Sequence, residues 1–228
     1  DPIRLNLQKH GLSFLVVDTN TPHALAHNGF ADRRAASESC AKALGLTFLR
    51  DALPEDLSCA HHDEREAKEW RLELVDSSVN RSLTALEERE GPATFPRGWV
   101  RHAFHDMTLV GRASYLLKHA DELGYRAFEE AGRIFTESFI SMRDELRVSR
   151  PEIDTAVEAC LTHGALGARI VGGGFGGAVM ALVKTSRLEE TAQAIAQAYA
   201  EHGYAEPRFL PMVAGFPADC DWLSENFR

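Results

Sequence analysis

Five glycines and one aromatic ring fill positions 172–177: Gly172, Gly173, Gly174, Phe175, Gly176 and Gly177. Apolar runs flank them, ARIV at 168–171 and AVMALV at 178–183. So much bare backbone exposes N–H groups that can meet an anion, and it lets another chain or a ligand come close. Gly172, Gly174 and Gly177 formally spell G-x-G-x-x-G. A dinucleotide fingerprint needs a helix after the glycines, so that the pyrophosphate meets a helix N-terminus. The run that follows is strand-like, which excludes that reading. Lys and Ser/Thr do not follow in phosphate-loop spacing either. A tight hairpin would explain about two residues of positive φ, not this many glycines. Spacing alone leaves two readings open, a hairpin turn and a loop built for close approach.

Other residues could carry chemistry. Cys59, His61, His62 and Asp63 have metal-ligand types, but near-adjacent residues seldom converge on one ion, and the segment reads as a solvated loop. Arg33 and Arg34 open a helix after Phe30 and read first as solvated charge, with a pair that steadies the adjoining loop as the functional alternative. Arg101 and His102 read as capping and surface pairing, and Ser141, Arg143 and Asp144 as pairing within a helix. Asp18 and Asn20 follow an apolar run, where turn chemistry accounts for them.

These residues need elements to hold them. LSFLVVDTN (12–20) reads as a buried strand. Residues 31–45 read as a helix closed by Gly45, and 65–90 as one or two amphipathic helices. Helical patterns run from Trp99 to Lys118 and from Tyr125 to Leu146. Pro151 opens another, capped by Ser149 and reaching about His163. Two strands flank the glycines, a helix spans 187–203 and a last strand 208–215. This order gives an α+β fold, with an antiparallel hairpin at its centre and helices on one face.

The chain has 228 residues, 44% hydrophobic and 26% charged, with net charge −9. That suits one domain with a real core. An acidic balance argues against nucleic acid and anionic membrane as partners. Four scattered cysteines, Cys40, Cys59, Cys160 and Cys220, read as free thiols in a reducing, cytoplasmic setting. The N-terminus has no signal-peptide pattern.

GALGARIVGGGFGGAVMALV (164–183) resembles the third signature of the GHMP small-molecule kinases, in its galactokinase form. VVDTNTPHALAHNGFADRRAASESCAKALG (16–45), VRHAFHD (100–106) and SMRDELRVSRPEIDTAVEAC (141–160) resemble further segments of that family, in the same order. The resemblance implies that residues 1–228 form a GHMP-kinase C-terminal domain, a ferredoxin-like antiparallel sheet with helices packed on one face. It implies an N-terminal kinase domain, outside this chain, that carries the sugar signature, the nucleotide phosphate loop, the catalytic Asp and a catalytic Arg. The implied activity is transfer from ATP, with Mg²⁺, to galactose, and no catalytic or metal-binding residue is expected in this chain.

On the same basis Phe30, Asn20 and His23 are expected on the sugar side, and Gly172 to Gly177 against the phosphate loop of the other domain. Phe30 stands where the family usually carries Tyr, which removes a sugar-contacting hydroxyl. Val171, Phe139 and Thr108 likewise replace the family's Thr, His and Arg. The loss at Phe30 raises two alternatives, a kinase for another sugar such as an N-acetylhexosamine, and a non-catalytic sensor of sugar and ATP.

Overall fold

A computed structural model of the chain describes residues 3, 5–21, 29–43, 46–52, 84, 88 and 97–212. Expectations for 53–83, including the Cys59–Asp63 segment, lie outside the described residues, as do Gly45 and His23. Among the described residues β1 spans Leu12–Asp18, α1 Gly29–Ala43, α2 Arg97–Lys118, α3 Ala120–Leu123, α4 Tyr125–Asp144 and α5 Pro151–Thr162. They are followed by β2 (Gly167–Val171), β3 (Ala178–Lys184), α6 (Leu188–His202) and β4 (Arg208–Met212).

The strands form one antiparallel sheet in the order β2-β3-β1-β4. The expected hairpin exists as β2-β3, but β2 is an edge strand, so the hairpin is not centred. The centre is shared by β1 and β3, because β1 returns to pair Leu12 with Lys184 and Asp18 with Ala178.

Alternation sorts the side chains. Leu15 and Val17 of β1, Val179, Ala181 and Val183 of β3, and Ala168 and Ile170 of β2 share one face. They join Ile153, Val157 and Cys160 of α5 and Ile195 and Tyr199 of α6 in the main core. Helices thus pack on that face as expected. Burial pushes the Cys160 thiol up to about 12, which leaves it an inert core side chain. Tyr199 is likewise core, its hydroxyl donating to Glu152 O at 2.5 Å.

A second core joins α2 and α4, where Phe128, Ile134 and Phe135 meet Leu109, Leu116 and Leu12. Those α4 positions recur at helical spacing, which is why the sequence forms one buried stripe there. α4 runs along the free edge of β2, and its second core reaches Leu182 at one end of the opposite sheet face. Among the described residues, Val171 at the end of β2 and Leu210 and Met212 on the opposite edge strand β4 are exposed on that face.

Helix ends follow local chemistry. Gly203 closes α6 in the left-handed region, and its N–H donates to Ala200 O. α5 begins with Pro151 in its first turn, but Arg150 occupies the cap position in extended conformation. Ser149 is not the cap: its hydroxyl donates instead to the Asp154 carboxylate at 2.5 Å. Arg150 holds that position because the residue before a proline favours extended backbone.

Candidate functional site

The glycine run closes the β2-β3 hairpin. Gly172, Gly174, Gly176 and Gly177 have φ of 82°, 79°, 129° and 88°, and Phe175 joins them at 62°. Both readings left open by the spacing find support, at different residues. At Gly174 the need is close approach, because an added Cβ would stand 2.6 Å from Val148 O and from the Val148 side chain. At Gly172 nothing lies within 4 Å of that position, so the tip is open.

The rest of the loop is pinned. Phe175 N–H donates to Val148 O at 2.7 Å, and Arg150 Nε donates to Phe175 O at 3.2 Å. Just after β1, Thr19 donates through both its N–H (2.9 Å) and its hydroxyl (2.6 Å) to Gly177 O. An open tip on a fixed base makes a preformed surface for a backbone or an anion.

This contrast sets a prediction. Gly174→Ala should lose about 2–4 kcal/mol, from a strained positive φ plus a clash with Val148 backbone. Gly172→Ala should lose only about 1 kcal/mol, the φ penalty alone. Urea unfolding of the two variants checks the order, and equal losses would mean that the loop relaxes freely.

Arg33 is not solvated charge. Its Nε donates to Leu146 O at 2.7 Å and Nη2 to Arg147 O at 2.9 Å. Its guanidinium lies 4.5 Å from the Trp99 ring centroid and 4.8 Å from that of Phe175. Burial pulls its pKa down, and Asp32 partly restores it. Arg34 does behave as the sequence suggests, pairing with Glu38 at 2.8 Å in solvent.

His102 is not a surface group either. It is buried, and its Nδ1 lies 2.9 Å from Ser141 Oγ, whose hydroxyl donates to Glu145 Oε2 at 2.6 Å. Ser141 therefore accepts from a neutral His102 protonated at Nδ1. Ser141 does pair within its helix, as expected, and also bridges to α2. Arg143 pairs with Asp144, and Arg101 reaches Glu145 at 3.5 Å.

Burial holds the His102 pKa below the ordinary histidine value, with Asp106 and Glu145 opposing and His105 and Arg169 adding to the depression. The folded protein thus binds this proton more weakly than the unfolded chain. Its contribution to stability is full above about pH 6.5 and is lost as pH falls through the lower folded value. Melting temperature should decline from pH 7 to pH 5, and His102→Asn should flatten that slope. An unchanged slope would show that other groups set it.

A cavity of about 640 Å³ opens between α1, α2 and β2, lined among others by Arg33, Trp99, His102, Asp106, Arg169 and Gly172. Asn20 lies beyond Thr19 at φ 52°; its N–H donates to Asp18 Oδ1 at 3.0 Å and its side-chain amide to Glu206 O at 3.4 Å. Turn chemistry explains it, as the sequence suggested. Phe30 lies in the first turn of α1, and its side chain, like all of His23, is outside the described residues. The structure thus brings the glycines together with Thr19, Val148, Arg150 and Arg33. Of these partners the sequence singled out Arg33 alone; Thr19, Val148 and Arg150 carried no local sign of a contact with the loop.

A hairpin with a pinned glycine loop thus stands on a four-stranded antiparallel sheet backed by helices. Residues 101–205 match the family model described as GHMP kinases C terminal. The chain's likeness is to galactokinases. It is 33% identical to the galactokinase of Streptomyces coelicolor over 92% of this chain and 46% of that protein. Against the galactokinase of Bos taurus the identity is 32%, over 85% of this chain and 41% of that protein. The fold matches a crystal structure of Lactococcus lactis galactokinase complexed with galactose, with TM-score 0.65 and 24% identity over 92% of this chain and 46% of that one. The chain thus spans about half the length of the relatives it matches.

Proposed function

We propose that this chain is the C-terminal half of a galactokinase-like sugar kinase, which moves the γ-phosphoryl of ATP to the anomeric hydroxyl of galactose. The observation that carries the reading is the end-to-end similarity to galactokinases, 33% over 92% of the chain. The pinned loop with an open tip supports it, since phosphoryl transfer is catalysed chiefly by positioning and charge stabilisation. So do Leu210 and Met212, exposed on the same face of edge strand β4, an apolar surface suited to an N-terminal kinase domain.

In this reading the base, the nucleotide phosphates and Mg²⁺ belong mainly to that other half. Among the described residues no group of three or more His, Cys, Asp or Glu side chains is placed to hold a metal, and no step is assigned to the ion here. None of the described helices is long and apolar enough to cross a membrane. A cytoplasmic location is part of the proposal.

The test uses the protein that carries this chain together with the remaining half of a galactokinase. ADP release is measured with galactose and, separately, with N-acetylgalactosamine. Turnover on galactose supports the reading. Preference for the N-acetylated sugar would favour the second reading, which the aromatic ring without a hydroxyl at Phe30 motivates. Binding of both ligands without turnover would make the protein a sensor. Phe30→Tyr should lower the galactose KM by up to about tenfold, the worth of one hydrogen bond. A lower melting temperature with unchanged KM would make Phe30 a packing residue.

A further inference from the structure

We propose that Arg33 is a positioning residue that couples the start of α1 to the glycine loop, so that the sugar and phosphate sides of the site move as one piece. This inference rests on the kinase reading for the meaning of the two sides. The link itself rests on geometry.

One guanidinium meets three separate segments. It donates to the Leu146 and Arg147 carbonyls just beyond α4, stacks on Trp99 at the start of α2, and stacks on Phe175 in the loop. The 146–148 segment in turn accepts the Phe175 N–H through Val148 O. The loop is therefore held to Arg33 twice, by its ring directly and by its backbone through Val148.

Phe175 adds an independent argument. At φ 62° a glycine would carry no steric penalty, yet the chain places Phe there among five glycines. The ring's contact with Arg33 gives that choice a physical reason, since a cation stacked on an aromatic face is a favourable pair. Arg33 also stands one helical turn after Phe30 on α1, so displacement of the helix start carries the guanidinium with it. Lysine would keep the charge but not the planar fork that serves two rings and two carbonyls together.

The experiment has two arms. In the 228-residue chain, hydrogen exchange is followed at residues 168–178. Arg33→Ala and Phe175→Leu should each speed exchange of the loop amides by about tenfold, and the double variant should do no more than either single one. Arg33→Lys should fall between, and it remains informative if the alanine variant fails to fold. Unchanged exchange in Arg33→Lys and Phe175→Leu, or additive effects in the double variant, would overturn the link.

In the two-domain protein, calorimetry measures a non-hydrolysable ATP analogue with and without galactose. Sugar should tighten nucleotide binding by about fivefold or more. Arg33→Lys should shrink that factor toward one and leave the affinity for each ligand alone nearly unchanged. A purely structural role would weaken both ligands and keep the factor. Retention of the factor, or its absence from the unsubstituted protein, would overturn the coupling. Failure to bind galactose would instead overturn the kinase reading, and the exchange arm would still decide the link.

Discussion

Gly167→Ala is expected to remove more than about 4 kcal/mol of stability, the range reserved for severe core lesions. Against a typical domain stability of about 5–15 kcal/mol, that is enough to leave much of the chain unfolded. Gly167 opens β2 where α4 crosses its edge, and a Cβ there would fall onto the Gly132 backbone. A Cβ on Gly132 would in turn fall onto Leu166 O, and the Leu166 Cβ would lie 2.8 Å away. Helix and strand are therefore in backbone contact, and neither side has a flexible atom that can yield. Phe128, Ile134 and Phe135, on the same helix as Gly132, are buried in the second core. Gly203→Ala serves as the control, because its position is open and only φ 69° is at stake. Circular dichroism and urea unfolding report both. A Gly167→Ala variant within about 1 kcal/mol of the control would show that α4 can slide away from the sheet at little cost.

The second large effect concerns activity. The 228-residue chain alone should show no galactose-dependent ADP release at rates approaching the ~1–100 s⁻¹ of ordinary kinases. Its glycine loop offers backbone N–H groups, but under the proposed division the base and the nucleotide cradle lie in the other half. Removing that half removes both proximity and most of the charge stabilisation, the terms that dominate this chemistry. Adding the missing half in trans should restore turnover in proportion to complex formation. Turnover by the chain alone at an ordinary rate would place the catalytic groups within these residues and overturn the division.

Much of this architecture could be read from the chain. α4 and α6 were legible because their apolar residues recur at helical spacing, and β2 and β3 because dense apolar runs bracket the glycines. The position of β2 at the edge was not legible, since it depends on where β1 returns, a pairing 172 residues away that leaves no local mark. The glycine loop was visible as a need for bare backbone. What made the need specific, Val148 pressing on Gly174, was a tertiary contact. Arg33 and Arg34 show the limit most clearly. They are adjacent and chemically identical, yet one is enclosed by two rings and two carbonyls while the other pairs with Glu38 in solvent. Only the direction of each side chain from α1 separates them. Ser149 is not the cap because Pro151 sets extended backbone at Arg150, which takes that position and leaves Ser149 one residue outside the helix.

The strand order has a consequence for synthesis on the ribosome. β1 is made first, yet it lies between β3 and β4, the last two strands of the sheet. At about 5–20 residues per second, β1 waits roughly 10–30 s for β3 to be translated. During that interval its apolar residues, Leu12, Phe14, Leu15 and Val17, have no strand to pair with. The α2–α4 helices can form from local contacts meanwhile, whereas sheet closure must await release of β3 and β4. Slow codons or a chaperone acting before β3 emerges would therefore change the yield of folded protein, whereas the same intervention after β4 would not.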